Sequence, residues 1–290
     1  MSSTISVALV QASQLSFNYD LSAYESDVKR TLTGMSGDRM VIHPELHLFG
    51  CDMEIPELRK IAQPLDSDFV INLGKIAAKL GTWLVPGSIV EPAPNGKVYN
   101  TALVFDPSGK LVSYYRKIFP WRPSEPFTPG NEFVVFDIPN LGRFGMTICY
   151  DIWFPEVVRQ LTWMGAEVII NLVRTTTPDR KQELVLLQAT SIMNQVYMLS
   201  VNAAAPIAMG RSLVVDPDGD VLEEIPDDQP SVIYTKVDFA RVNQIRTEGT
   251  AGTNRMWEQF LPNEPVLRLP IYDGRIDPRA WRPGKENKEK

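Results

Sequence analysis

Two segments of this chain answer each other: ALVFDPSGKLV at 102–112 and SLVVDPDGDVL at 212–222. Each is an apolar run, an Asp-Pro-x-Gly turn and a second run. The Asp side chain folds back on the turn backbone and the Gly accepts positive φ, so each segment predicts a β-hairpin. What precedes the two hairpins also matches. Phe69, Leu73, Ile76 and Leu80 recur at helical spacing before the strand-like TWLVPGSIV, and Val185, Ala189, Ile192 and Val196 do so before YMLSVNAAA. Further upstream, ISVALVQ and RMVIHP in the first half match FGMTIC and EVIINL in the second.

Each half therefore reads strand, helix, strand, helix, then three or more strands. Strands separated by helices favour parallel neighbours, and an unbroken apolar run such as VIINLV suits a strand covered on both faces. Two half-sheets face to face with helices outside give an α/β fold, a four-layer αββα sandwich with internal pseudo-duplication. One domain over 1–290 is expected. Leu184, Leu187 and Ser191 widen the second helix's apolar face beyond what one sheet contact uses. Periodicity fades beyond about residue 240; the stretch 240–290, with Trp257 and Trp281 among prolines and arginines, reads as an extended arm.

A chain of 290 residues, 44% hydrophobic and 22% charged, can bury a large core. A net charge of -6 with no basic stripe argues against nucleic acid or an anionic membrane as partner. No apolar run approaches a membrane span, and MSSTISVALVQAS lacks the basic start of a signal peptide. Two cysteines, Cys51 and Cys149, make no disulfide framework, so a cytoplasmic location is expected. Phosphate-cradling glycine motifs are absent, which implies no nucleotide cofactor. His43 and His47 flank Glu45 without a further ligand cluster, so they read as packing or supporting residues and no metal is expected.

Three residues follow strand-like runs in distinctive contexts. Cys149 stands where RFGMTI gives way to YDIWFPE, whose Pro155 and Glu156 suit the first turn of a helix ending near Gly165. A thiol on that turn projects from the sheet edge toward backbone N–H groups that stabilise negative charge. Glu45 ends RMVIHP behind Pro44, at an edge where lost solvent makes a carboxylate a better proton acceptor. Lys117 ends a strand of the first hairpin. A thiol needs a base for its proton and a cation for the oxyanion it creates, and these three supply one of each. Taken singly, each has a plainer reading: a small buried hydrophobe for the cysteine, solvated surface groups for the others. Cys51 follows HLFG with no helix start behind it, and packing is its better reading.

The pieces HPEL, YYRKIFPW and above all CYDIWFPE resemble the nitrilase superfamily, the carbon-nitrogen hydrolases that cleave amides, ureido groups and nitriles. The resemblance runs over roughly 4–240 and implies the same αββα fold. It implies Glu45 as general base, Lys117 and the backbone N–H of Tyr150 as oxyanion holders, and Cys149 as nucleophile of a thioester path. It also points to Glu125, in the loop RKIFPWRPSEPFTPG, as a second glutamate that orients the amide. Family members commonly pair through the second helix region, so a homodimer or larger homo-oligomer is expected.

Phe119 stands where a His is common, which brings the loop nearer to the amidase and formamidase style. Trp121, Trp153 and Phe127 would wall the site with aromatic groups suited to a compact acyl chain. The loop RTTTPDR brings Arg174 and Thr175 to the same crevice, where Arg174 could take a substrate carboxylate. The arginine pattern usual beside the Cys in N-carbamoyl amino acid hydrolases is missing. A small linear amide with release of ammonia is therefore expected over a ureido compound or a nitrile. Two readings from outside this chemistry are a silent scaffold, whose mark would be a missing member of the set, and a redox protein, for which Cys51 is the sole resolving candidate.

Overall fold

The computed structural model describes residues 4–50, 54–269 and 271–275. The first unit runs β1 (Thr4–Gln11), α1 (Leu21–Thr31), β2 (Arg39–Ile42), α2 (Ile55–Ile61), α3 (Asp68–Leu80), β3 (Trp83–Val85), β4 (Ser88–Ala93), β5 (Lys97–Phe105) and β6 (Leu111–Arg116). The second runs β7 (Val135–Ile138), β8 (Gly142–Ile148), α4 (Pro155–Trp163), β9 (Val168–Val173), α5 (Arg180–Asn194), β10 (Tyr197–Asn202), β11 (Leu213–Val215) and β12 (Val221–Glu224). The chain then returns through β13 (Ser231–Asp238) to α6 (Phe239–Glu248).

The two sheets have matching orders. One runs β13-β1-β2-β3-β5-β4 with β6 also on β5, the other β12-β11-β10-β9-β8-β7. In each, three adjacent strands are parallel (β1, β2, β3 and β8, β9, β10), and the hairpin joins antiparallel to the third. β4 has no counterpart. It continues β3 beyond Pro86 and Gly87, and Gly87 is needed there: its φ is 94°, and a Cβ would lie 2.1 Å from the Pro44 carbonyl oxygen.

Alternation along the strands makes three apolar layers. Ile5, Val7, Met40 and Val104 meet Phe144, Met146, Ile170 and Leu199 between the sheets. Ala8, Val41, Leu84 and Leu103 face α1 and α3 through Tyr24, Val28, Leu73 and Ile76. Ile169, Met198 and Val215 face α4 and α5 through Val158, Leu161 and Leu187. These are the layers of the expected sandwich.

The hairpin turns are duplicates in atomic detail. Asp106 Oδ1 accepts from the N–H of Ser108 at 2.9 Å and of Lys110 at 3.0 Å; Asp216 Oδ1 accepts from Asp218 at 2.9 Å and Asp220 at 3.0 Å. Gly109 and Gly219 take φ of 88° and 92°. Each hairpin also has a register shift in its first strand, at Val104/Phe105 and at Val214/Val215.

Two expectations fail. The stripe Val185, Ala189, Ile192 does not face the core: Val185 is 64% exposed and Ile192 47%. Leu184, Leu187 and Ser191, taken as surplus, form the inward face together with Arg180, Glu183, Thr190 and Asn194. The inner face is mostly polar, so apolar spacing selects the wrong side. The expected extended arm begins instead with α6, whose Phe239, Val242 and Ile245 are buried at i, i+3, i+6. Cys51 and Trp281 lie outside the described residues.

Candidate active site

Cys149 closes β8 with φ of 49°, a left-handed conformation that an L-residue holds only when its surroundings fix it. Asp151 fixes it. Its Oδ2 accepts from Ile148 N at 2.9 Å and from the Tyr115 hydroxyl at 2.7 Å, and its Oδ1 from Phe119 N at 2.9 Å. One buried carboxylate thus ties the turn of the second unit to the loop carrying Lys117 in the first. Burial lifts its pKa to about 6, against the opposing pull of Lys117 and these donors.

Lys117 is fully buried, and its ammonium donates to Glu45 Oε1 at 3.0 Å and to Glu125 Oε1 and Oε2 at 2.9 and 2.8 Å. Burial alone would lower its pKa; the charges of Glu45 and Glu125 overcome that and raise it, so the group stays an ammonium. Glu125 is anchored by Trp121 N at 2.9 Å, and burial raises its pKa despite Lys117. Glu45 Oε1 takes a second bond from Asn100 Nδ2 at 2.7 Å, while Oε2 is buried with no hydrogen-bond partner among the described residues. Burial, then the charge of Glu45, pushes the Cys149 thiol well up, with Lys117 pulling it down. The resting sulfur is a neutral thiol flanked by a fixed ammonium and a carboxylate with one free oxygen.

Trp121, Tyr150, Arg174 and Thr175 line the narrow cleft above Cys149 and Glu125, whose cavity volume is about 30 Å³. Arg174 Nε donates to Gln14 Oε1 at 2.8 Å, and Gln14 in turn reaches the Leu46 carbonyl behind Glu45. Thr175 Oγ1 lies 3.8 Å from Cys149 Sγ. Two of the predicted aromatic walls are elsewhere. Phe127 is fully buried in the outer apolar layer of the first unit, because the loop rejoins the sheet there through Thr128 N to Val98 O at 2.8 Å. Trp153 packs into the second unit's outer layer and reaches the site only through its indole N–H, 3.4 Å from Glu183 Oε1.

His43 and His47 stack at 4.6 Å in the first unit's interior, and the Tyr24 hydroxyl meets His43 Nδ1 at 3.1 Å. Desolvation holds His47 at about 4 and His43 well below its usual value. Phe119 stacks on Phe154 at 3.6 Å. Residue patterns pass over Asn100, Asp151, Arg180 and Glu183. Only Asp151 carries a sequence signal, as the acidic residue two positions beyond the turn cysteine; the others sit in runs whose polarity reads as surface.

Residues 6–247 match the carbon-nitrogen hydrolase family model. The chain belongs to that family. A formamidase of Bradyrhizobium diazoefficiens is 34% identical over 200 residues, 67% of this chain and 57% of that protein. Omega-amidase NIT2 of Homo sapiens is 30% identical over 204 residues, 64% of this chain and 72% of that protein. Among solved structures, Saccharomyces cerevisiae Nit3, a member of branch 10 of the nitrilase superfamily, superposes with a TM-score of 0.76 at 28% identity, covering 87% of this chain and 96% of that one. This carbon-nitrogen hydrolase acts on bonds other than peptide bonds. No helix among its described residues is long and apolar enough to cross a membrane.

Proposed function

We propose that this carbon-nitrogen hydrolase cleaves small linear amides through a thioester on Cys149, releasing ammonia and a carboxylic acid. The observation that carries the reading is Glu45: one oxygen is fixed by Lys117 and Asn100, and the other is buried without a partner among the described residues, close enough to the thiol for its charge to act on it. A buried acceptor without a donor is costly unless chemistry uses it.

Glu45 takes the thiol proton as Cys149 Sγ attacks the carbonyl carbon, and the oxyanion is held by the Lys117 ammonium and the Tyr150 N–H. The tetrahedral centre collapses by breaking the C–N bond, and Glu45 returns the proton to the departing nitrogen. Water then loses a proton to Glu45, attacks the thioester, and restores the thiol as the acid leaves. Glu125 keeps Lys117 in place and orients the amide.

The cleft's small volume favours a compact acyl group, in keeping with the formamidase relative. Ammonia release from a panel of aliphatic and aromatic amides, with wild type and Cys149→Ala in parallel, tests the assignment. Cys149→Ala loses at least about a thousandfold in kcat, and normal turnover by that variant refutes it. Arg174 supports a second reading, an N-carbamoyl amino acid hydrolase, because its bond to neutral Gln14 leaves its charge for a substrate carboxylate. Activity confined to N-carbamoyl amino acids and lost in Arg174→Ala would favour that substrate. We also propose a homo-oligomer paired through α4 and α5, which expose Trp163, Val185, Ile192 and Met193; a monomer in sedimentation would exclude it.

A further inference from the structure

The cleft that holds the thiol is also lined by a second carboxylate, which the reaction above does not use and which reaches the sulfur through Thr175. Glu183 is 3% exposed on the inward face of α5. Its Oε2 accepts from Arg180 Nη1 at 3.0 Å and from the Thr175 hydroxyl at 2.7 Å, and its Oε1 from the Trp153 indole at 3.4 Å. Arg180 is itself locked by the carbonyls of Gly210 at 3.2 Å and Arg211 at 2.9 Å, so the carboxylate cannot swing away. The Thr175 backbone is fixed by Asn202 Oδ1, 3.0 Å from its N–H.

A threonine hydroxyl has one proton, and a carboxylate paired with a guanidinium only accepts. Thr175 therefore spends its proton on Glu183 and offers Cys149 a lone pair. In the 3.8 Å contact between Thr175 Oγ1 and Cys149 Sγ, the sulfur is then the donor. We propose, building on the assignment of Cys149 as nucleophile, that Thr175 and Glu183 are positioning residues that orient the S–H and keep the nucleophile a neutral thiol until substrate arrives. When substrate arrives, the S–H turns about the Cβ–Sγ bond from Thr175 to Glu45, and as Glu45 removes the proton the Thr175 hydroxyl rotates about its Cβ–Oγ bond and donates to the thiolate instead. No bond to hydrogen breaks at Thr175, and Glu183 keeps Arg180 and Trp153 as donors.

The charges acting on the sulfur are Glu45, Lys117 and Glu125 from the first unit and Glu183 and Arg180 from α5, with Arg174 and Asp179 lining the same cleft. Of these, Glu183 alone connects to the sulfur through a hydroxyl that can turn. Its charge pushes the thiol in the same upward direction as burial does. A merely structural Glu183 would support Arg180 without giving Thr175 a part in the thiol's response.

Two measurements read the relay without substrate, so an inactive protein that passes them would fail the amidase reading and leave this one standing. In the pH profile of Cys149 alkylation by iodoacetamide, Glu183→Gln lowers the midpoint by about one unit or more, equivalent to roughly tenfold more thiolate below the midpoint. In a Thr175→Val background the same Glu183→Gln change shifts the midpoint by less than half as much, whereas Thr175→Ser keeps the wild-type profile. An unchanged midpoint in Glu183→Gln, or an equal shift in both backgrounds, overturns the relay. Where Glu183→Gln does not fold because Arg180 loses its partner, the infrared S–H stretch of Cys149 decides, read in a Cys51→Ser background. The band lies lower in the protein with Thr175 than in Thr175→Val, and coincident bands overturn the proposal.

Discussion

The hairpin turns at Asp106–Lys110 and Asp216–Asp220 share their side-chain bonds, their glycine conformation and the register shift before them, yet their second strands end differently. β6 runs into Lys117, fully buried between Glu45 and Glu125. β12 is exposed along its whole length and ends on Glu224, paired with Arg211 at the surface. The same local code makes the same turn twice, and what each turn delivers depends on what packs beyond it. The two units share equivalent hairpins, and the second strand of one delivers a buried cation while that of the other ends in a surface pair.

The largest contrast should come from removing the charges themselves. Lys117→Met leaves two buried carboxylates without their cation, a loss of about 3–5 kcal/mol, or roughly 10 °C in melting temperature, besides abolishing turnover. Glu224→Ala, at the end of the matching strand, removes a half-exposed pair worth under about 1 kcal/mol. Equal losses in thermal denaturation would erase the distinction drawn between the two strand ends.

The halves should also differ in acid. Both histidines lie in the first unit, and His47 is neutral in the fold down to about 4 against an ordinary value of 6.5. Its folded pKa is depressed, so the unfolded chain binds more protons between 6.5 and 4. Stability is then full above 6.5 and falls as pH drops through that window, by up to about 3 kcal/mol at pH 4. His47→Phe should flatten the slope of unfolding free energy against pH between 4 and 6.5; an unchanged slope in urea titrations would show that the ring charges without cost.

The smallest contrast lies in the turns. A Cβ on Gly109 would sit 2.6 Å from the Gly74 carbonyl oxygen, backbone that cannot yield, whereas on Gly219 it meets the Ile192 side chain, which can change rotamer. Positive φ costs each alanine about 1–2 kcal/mol, and Gly109→Ala should lose about 1 kcal/mol more than Gly219→Ala. Matching losses would mean that α3 moves as readily as a side chain does.

How far the chain could be read follows from the same contrast. The hairpins and parallel triplets were legible because their determinants are local: an Asp and a Gly at fixed offsets, an apolar alternation. Glu45, Lys117, Cys149 and Glu125 were legible as motif residues, and the structure brings all four together. α5 was misread because hydrophobic spacing assumes that the inner face is the apolar one, and here Arg180 and Glu183 turn inward to each other while Ser191 and Asn194 turn inward to backbone carbonyls. Phe127 was misplaced because nothing in PSEPFTPG reveals that the loop rejoins β5 through Val98. Trp153 was placed in the right neighbourhood and one layer too close.

β1 lies between β2 and β13, and its residues pair with Arg39–Ile42 on one side and with Ser231–Asp238 on the other. During synthesis the first sheet therefore keeps an open edge until the chain has grown past β13. A pairing of such sequence separation is slow to close, and an unpaired edge invites a neighbouring chain. For the growing polypeptide, the assembled sandwich and its lysine become available together only once β13 has emerged, so any truncation before β13 leaves an unfinished sheet rather than a smaller enzyme.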